Sequence, residues 1–135
     1  MASGIYNRFK ANILNKEIDC EADTIKAALL NNSHSFTATH NTWSQVSGNE
    51  ISGTGYTTGG ATLAGKAVTQ AATTKFDATD PSWTTATITA YHMVLYDDTH
   101  ATDDLICSFD LGGAQTVTAA TLTVAFHADG ILTLA

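Results

Sequence analysis

After Lys75 the chain contains no lysine or arginine, while Asp77, Asp80, Asp97, Asp98, Asp103, Asp104, Asp110 and Asp129 all lie in that stretch. Four of the six basic residues (Arg8, Lys10, Lys16 and Lys26) fall in the first 26 positions, and the net charge is -7. A body of this sign repels phosphate backbones, which argues against a nucleic-acid partner. No run of about 18 apolar residues occurs, so no membrane-spanning helix is expected. The opening MASGIYNRFK has no apolar signal core, and folding in a cytosol is the expectation. Cysteine is scarce: Cys20 and Cys107, with no C-x-x-C partner for either, give no metal or redox motif. Cys107, in the alternating run DLICSFDL, reads as a small buried hydrophobe, and Cys20 as a residue near the surface. A bridge between the two, or between copies, stays open as the minor reading.

The 135 residues and 44% apolar content suit one domain with a real core. Residues 3–15 carry the one helical pattern, with Ile5, Phe9 and Ile13 spaced by four, and Tyr6 and Leu14 beside them. Ser3 is the expected cap and Asn15 the expected stop. So short a stripe needs a partner surface, either its own domain or another subunit. From Thr24 the period becomes two. TIKAALL puts Ile25, Ala27 and Leu29 on one face. ATLAGKAVT, TKFDA and the terminal ILTLA read as further strands. TTATITAYHMVLYDD is the clearest strand, with Ile88, Ala90, His92, Val94 and Tyr96 on one side and Thr87, Thr89, Tyr91, Met93 and Leu95 on the other. DLICSFDL and ATLTVAFHA follow as separate strands, divided by a turn at LGGAQ. The expected architecture is an all-β sandwich, jelly-roll or immunoglobulin-like, of residues 21–135, preceded by a short helix or arm over residues 1–20.

Several motifs invite chemistry. GATLAGKA, Gly60–Ala67, resembles a phosphate loop, and MVLYD resembles the strand that accompanies one. The match fails on context. No apolar strand precedes it, no helix follows it, and Ala67 stands where Ser or Thr must hold magnesium. GATLAGKA reads better as the exit of the glycine-rich turn NEISGTGYTTGG, with Gly65 marking a bulge or a close backbone approach and Lys66 facing solvent or a partner. The loop DDTHATDD gathers carboxylates but lacks the glycine and distal glutamate of a calcium loop, so a solvated hairpin loop is preferred. His34 and His40 have no third ligand for zinc, and His92 reads as a hydrogen-bonded core histidine. No G-x-S-x-G occurs. Trp43, Trp83 and Tyr56 are a possible sugar platform, with core packing as the default. No catalytic residue, cofactor or metal site is expected.

The order of the segments FKANILNKEID, DTIKAALLNNSHSF, WSQVSGNEISGTGYTTGGATLAGKAVT, FDATDPSWTTATITAYHMVLYDD and DLICSFDLGGAQTVTAATLTVAFHADGILTLA resembles a family of small structural proteins of tailed bacteriophages. NEISGTGYTTGG and FDATDPSW carry most of that likeness. The resemblance implies a virion component, and within it a capsid decoration (cement) protein that binds the major capsid protein and stabilises the head. Tail, head-tail connector or baseplate proteins of the same family and a virion-surface carbohydrate-binding module are the alternatives. Contacts with copies of itself are also expected, since repeated assembly on a lattice needs self-complementary or heterologous patches. The apolar stripe makes Ile5, Tyr6, Phe9, Ile13 and Leu14 the candidate docking residues.

Overall fold

The computed structural model describes residues 3–135. In chain order its elements are β1 (Gly4–Ile5), α1 (Asn7–Leu14), β2 (Ile25–Leu30), two 3-10 turns (Trp43–Gln45 and Ser47–Asn49), β3 (Ala61–Thr62), β4 (Ala67–Thr69), β5 (Thr74–Asp77), β6 (Ser82–Asp97), β7 (Asp104–Thr123) and β8 (Leu132–Leu134). They form two antiparallel sheets and one helix, a mostly β chain. The larger sheet has the order β1-β7-β6-β2-β3, and the smaller β4-β5-β8. Among the described residues no helix is long and apolar enough to cross a membrane.

The β6–β7 hairpin is the spine. Its turn forms because the Asp97 carboxylate accepts from the Thr99 and His100 amides at 2.9 and 3.3 Å, a local bond that aspartate makes readily. The LGGAQ segment, expected to end one strand and begin another, instead sits inside a single 20-residue strand. Both flanks pair with β6, which is long enough to reach past it. Gly112 and Gly113, at φ 81° and 118°, absorb the extra residues as a bulge between the His92–Asp110 and Ala90–Gln115 pairs.

That irregularity also overturns the expected facing of β6. Ile88 and Ala90 share the larger core with Met93 and Leu95, while Val94 and Tyr96 point to the opposite cluster. The change of parity falls at the register shift between Ala90 and His92. Strand β2 is likewise buried on both faces. Ile25, Ala27 and Leu29 enter the larger core, and Ala28 and Leu30 the smaller one.

The larger core lies between the five-stranded sheet, α1 and the three-stranded sheet, whose Phe76 and Leu132 pack into it. On the other face the segment 31–50 folds over the sheet, so that Val46, Phe36 and Trp43 cover Leu30, Val94 and Tyr96. Trp43 stacks on Tyr96 with ring centroids 4.7 Å apart. The glycine-rich turn is pinned in the same region. Tyr56 donates to Glu50 at 2.7 Å, the Gly59 amide donates to the same oxygen at 2.6 Å, and Tyr96 donates to the Gly59 carbonyl at 2.6 Å. At Gly60, φ is 89° and a Cβ would collide with the Ala27 carbonyl, so only glycine passes there.

The helix begins later than Ser3. Gly4 and Ile5 pair with Ser108 and Cys107, and the Ser3 hydroxyl accepts from the Asp110 amide at 2.8 Å. Tyr6 takes the cap position without a side-chain cap, and Asn15 ends the helix as expected. The N-terminal residues 3–15 are therefore part of the larger sheet and its core, and do not form a separate arm.

Candidate functional site

The five residues expected to dock on a partner do not share one surface. Tyr6 and Phe9 are 0% and 1% exposed and enter opposite clusters, Tyr6 beside Phe36 under segment 31–50 and Phe9 in the larger core. Both are consumed by their own domain, because a two-residue strand precedes the helix and turns the Tyr6 ring away from the helical stripe. Ile5 and Ile13 are half-buried against the larger core. Leu14 alone stands out, 84% exposed.

Ile13 does border an open apolar groove of about 500 Å³ between α1, residues 16–23 and the three-stranded sheet. Phe9, Ile18, Phe76, Val68 and Leu134 are among the apolar residues that line it. Val68, Leu134 and Leu14 are the large apolar side chains that the described residues leave exposed. Lys16, Lys75, Glu17, Asp19 and Asp23 rim the groove, so it offers both signs of charge around an apolar centre. The sequence signal was weak: Val68 and Leu134 lie in short strands whose outward positions periodicity alone cannot assign. Lys66, expected to face solvent or a partner, instead donates to the Asp23 carbonyl and holds the residue 19–24 turn against the strand that follows.

The other sites are tied into the fold. Asp104, 1% exposed, accepts from Arg8 at 2.8 Å, Asn12 at 2.8 Å and Thr102 at 2.5 Å. Burial alone would raise its carboxyl, but those three donors outweigh it and hold the group below the usual range. Asp97, also 1% exposed, faces the Asp23 carboxyl with no donor to its Oδ2. Burial and that neighbour push its carboxyl up to about 7. Among the described residues no three His, Cys, Asp or Glu side chains gather as a metal ion requires.

His34 Nε2 lies 3.0 Å from Ser108 Oγ, a nucleophile-and-base contact on paper. Both side chains are 1% exposed, so no substrate reaches the hydroxyl. The His34 ring also meets His92 edge-on at 5.0 Å, and burial lowers the imidazole to about 4. Trp83 is 5% exposed, and Tyr56 spends its hydroxyl on Glu50 and the Leu29 amide. Trp43 is half-buried and stacks one ring face on Tyr96, so the three rings do not form a single flat platform of exposed aromatics. Both cysteines are free thiols. Cys107 is buried, and Cys20 is half-buried with its thiol raised to about 11 by burial and by Asp19, Asp97 and Asp23.

No family model matches the chain, and neither a curated protein nor a solved structure matches it.

Proposed function

We propose that this chain is a structural component of a tailed-bacteriophage virion, a capsid decoration protein that binds the major capsid protein and stabilises the assembled head. The reading begins from the segment order that resembles that family. The observation that carries it further is the apolar groove beside α1. It gathers exposed Val68 and Leu134, with Leu14 at the end of the adjoining helix, and charges of both signs on its rim. Such a centre and rim suit a protein surface. Binding only the assembled shell would stabilise it by mass action, with no chemistry required. The docking set is then revised: Ile13 and Leu14 stay, Val68 and Leu134 join them, and Tyr6 and Phe9 act as internal supports.

The same reading takes the two sheets as a β-sandwich of jelly-roll or immunoglobulin-like type, supported by Phe76 and Leu132 sharing a core with Ile25, Leu29 and Leu95. A tail, connector or baseplate position is the second reading, since the groove serves any large protein partner. The test is occupancy on purified heads. Val68→Asp with Leu134→Asp should abolish binding while the thermal midpoint stays within a few degrees. Unchanged occupancy of the folded variant overturns the groove, and wild type bound to isolated tails but not heads overturns the decoration assignment.

A further inference from the structure

Strand β7 leaves a long edge open. Its inner side pairs with β6 along its length, but on the outer side β1 covers only Cys107 and Ser108. From Gly112 to Thr123 no strand lies beyond it among the described residues. Ala114, Gln115, Thr116 and Thr118 are exposed, and Val117 is half-exposed. An open strand edge is a template for another strand, and folds commonly blunt it with charge, proline, shortness or a cover. The short edge strands follow that rule, and the half of β6 that runs beyond β2 is met on its outer side by the Thr54–Thr87 bridge. β3 has two residues, and β4 and β8 have three each. The Val68 amide on β4 is moreover occupied by Glu21 at 2.6 Å. Over this stretch β7 has no charge, proline or cover, and its bulges, a further guard, lie on either side of Gln115–Val117 and leave that run itself straight. From Leu111 through Ala128 there is no Asp, Glu, Lys, Arg or Pro. Its irregularities, at Gly112–Gly113 and at Thr118–Ala119 where Ala119 has φ 47°, bracket the three residues Gln115–Val117 that stay in register with Ala90–Ile88.

We infer that this edge pairs with the same edge of a second copy, antiparallel about a two-fold axis at Thr116, joining two five-stranded sheets into one. The charge distribution selects this occupant. In a chain of net charge -7, a contact between copies must avoid acidic residues, and this is a long strand edge that does. A partner of different composition would be matched by charge, and the edge offers none of either sign. The register is self-complementary: Thr116 faces Thr116, Gln115 faces Val117, and Ala114 faces Thr118. Uncharged β-branched pairs of this kind support a sheet. The arrangement is isologous and closes at two copies, so it does not grow into fibres. Thr116 is already ordered for it, its hydroxyl 2.9 Å from that of Thr89 on β6. The inference does not depend on the capsid assignment.

Sedimentation velocity of the full chain over a wide concentration range tests it. Wild type should form a reversible dimer. Thr116→Lys/Thr118→Lys should weaken it at least about ten-fold, since like charges then face each other across the axis. The matching double glutamate variant should do the same, and mixing the two should restore a dimer. Hydrogen exchange provides a readout without substitution: Ala114–Thr118 amides should slow as concentration rises. A wild type that stays monomeric overturns the inference. So does a dimer untouched in a folded lysine variant, or exchange at these amides that ignores concentration.

Discussion

Asp97 and Asp104 sit directly opposite each other at the neck of the long hairpin, in register and each 1% exposed. They are the same side chain at the same burial, and their carboxyls move in opposite directions. The difference is the donors. Asp104 receives one bond each from Arg8, Asn12 and Thr102, which favour its charged form. Asp97 receives two amides on one oxygen, while its other oxygen faces Asp23. Two carboxyls in one buried space cannot both ionise cheaply, and a proton on one of them supplies the missing hydrogen bond. Burial raises both carboxyls; the donors around Asp104 reverse that effect, whereas the Asp23 carboxyl facing Asp97 adds to it. The two sides also do different structural work. Asp104 ties helix α1 to the start of β7, whereas Asp97 closes the turn and meets the residue 19–24 loop.

The strongest way to break the comparison is to remove Asp104. Asp104→Ala strips the acceptor from Asn12, Arg8 and Thr102 together and should cost about 3 kcal/mol at neutral pH. Urea unfolding measures it, and a loss below about 1 kcal/mol would mean that these bonds do not anchor the helix. Next comes the pH dependence of Asp97. Its folded-state carboxyl is raised, so its contribution is fully present below the unfolded value of 3.8 and is lost as pH rises through about 7. Asp97→Asn keeps the acceptor for the two amides and supplies a permanent donor toward Asp23. The variant's advantage over wild type should grow from about pH 4 to about pH 7, by on the order of 1 kcal/mol or more, and level off above about pH 8. The difference between the two curves is the quantity to read. Buried His34, lowered to about 4, adds an opposing limb in which stability present above 6.5 is lost as pH falls. A difference curve flat from about pH 5 to pH 9 would show that Asp97 is not held protonated.

These features were legible in the sequence to unequal degrees. The β class was readable from alternation and turn residues, because threonine on one face and Ile and Ala on the other leave a two-residue period in Thr87–Ala90. The facing of Val94 and Tyr96 was not, since a bulge changes parity without altering the pattern on either side of it. LGGAQ carried a turn signal that the structure uses as a bulge: glycines at positive φ serve both, and only the length of the partner strand decides. Residues 3–15 showed a helical stripe, yet Ile5 became a strand because Cys107 and Ser108 offered it an edge. The groove lining was hidden because Val68 and Leu134 meet only through β5, in a sheet made by sequence-distant strands. The acidic loop announced carboxylates, but no pattern separates the two that are buried from Asp98 and Asp103 beside them.

A finer cut is to change the partners rather than the aspartates. Asp23→Asn removes the carboxyl that faces Asp97 and should move the Asp97 titration midpoint below its present value of about 7, with little effect on stability near pH 5. Carboxyl-carbon NMR titration would follow it. A midpoint that does not move would assign the whole shift to burial, the larger of the two causes.

The smallest effect is expected at Arg8. Its side chain is 41% exposed, and its bond to Asp104 is to a carboxylate already held by Asn12 and Thr102. Water replaces an exposed guanidinium well, so Arg8→Ala should cost no more than about 1 kcal/mol. Asn12 is 5% exposed and has no such replacement, so Asn12→Ala should cost more than Arg8→Ala although it removes no charge. The order of the two is the informative result, read by thermal or urea unfolding of both variants. If Arg8 proves the costlier, ion pairing rather than the buried amide keeps Asp104 charged. The contrast with Asp97 would then rest on a cation that Asp97 lacks, and placing a lysine at position 23 should make the two aspartates alike.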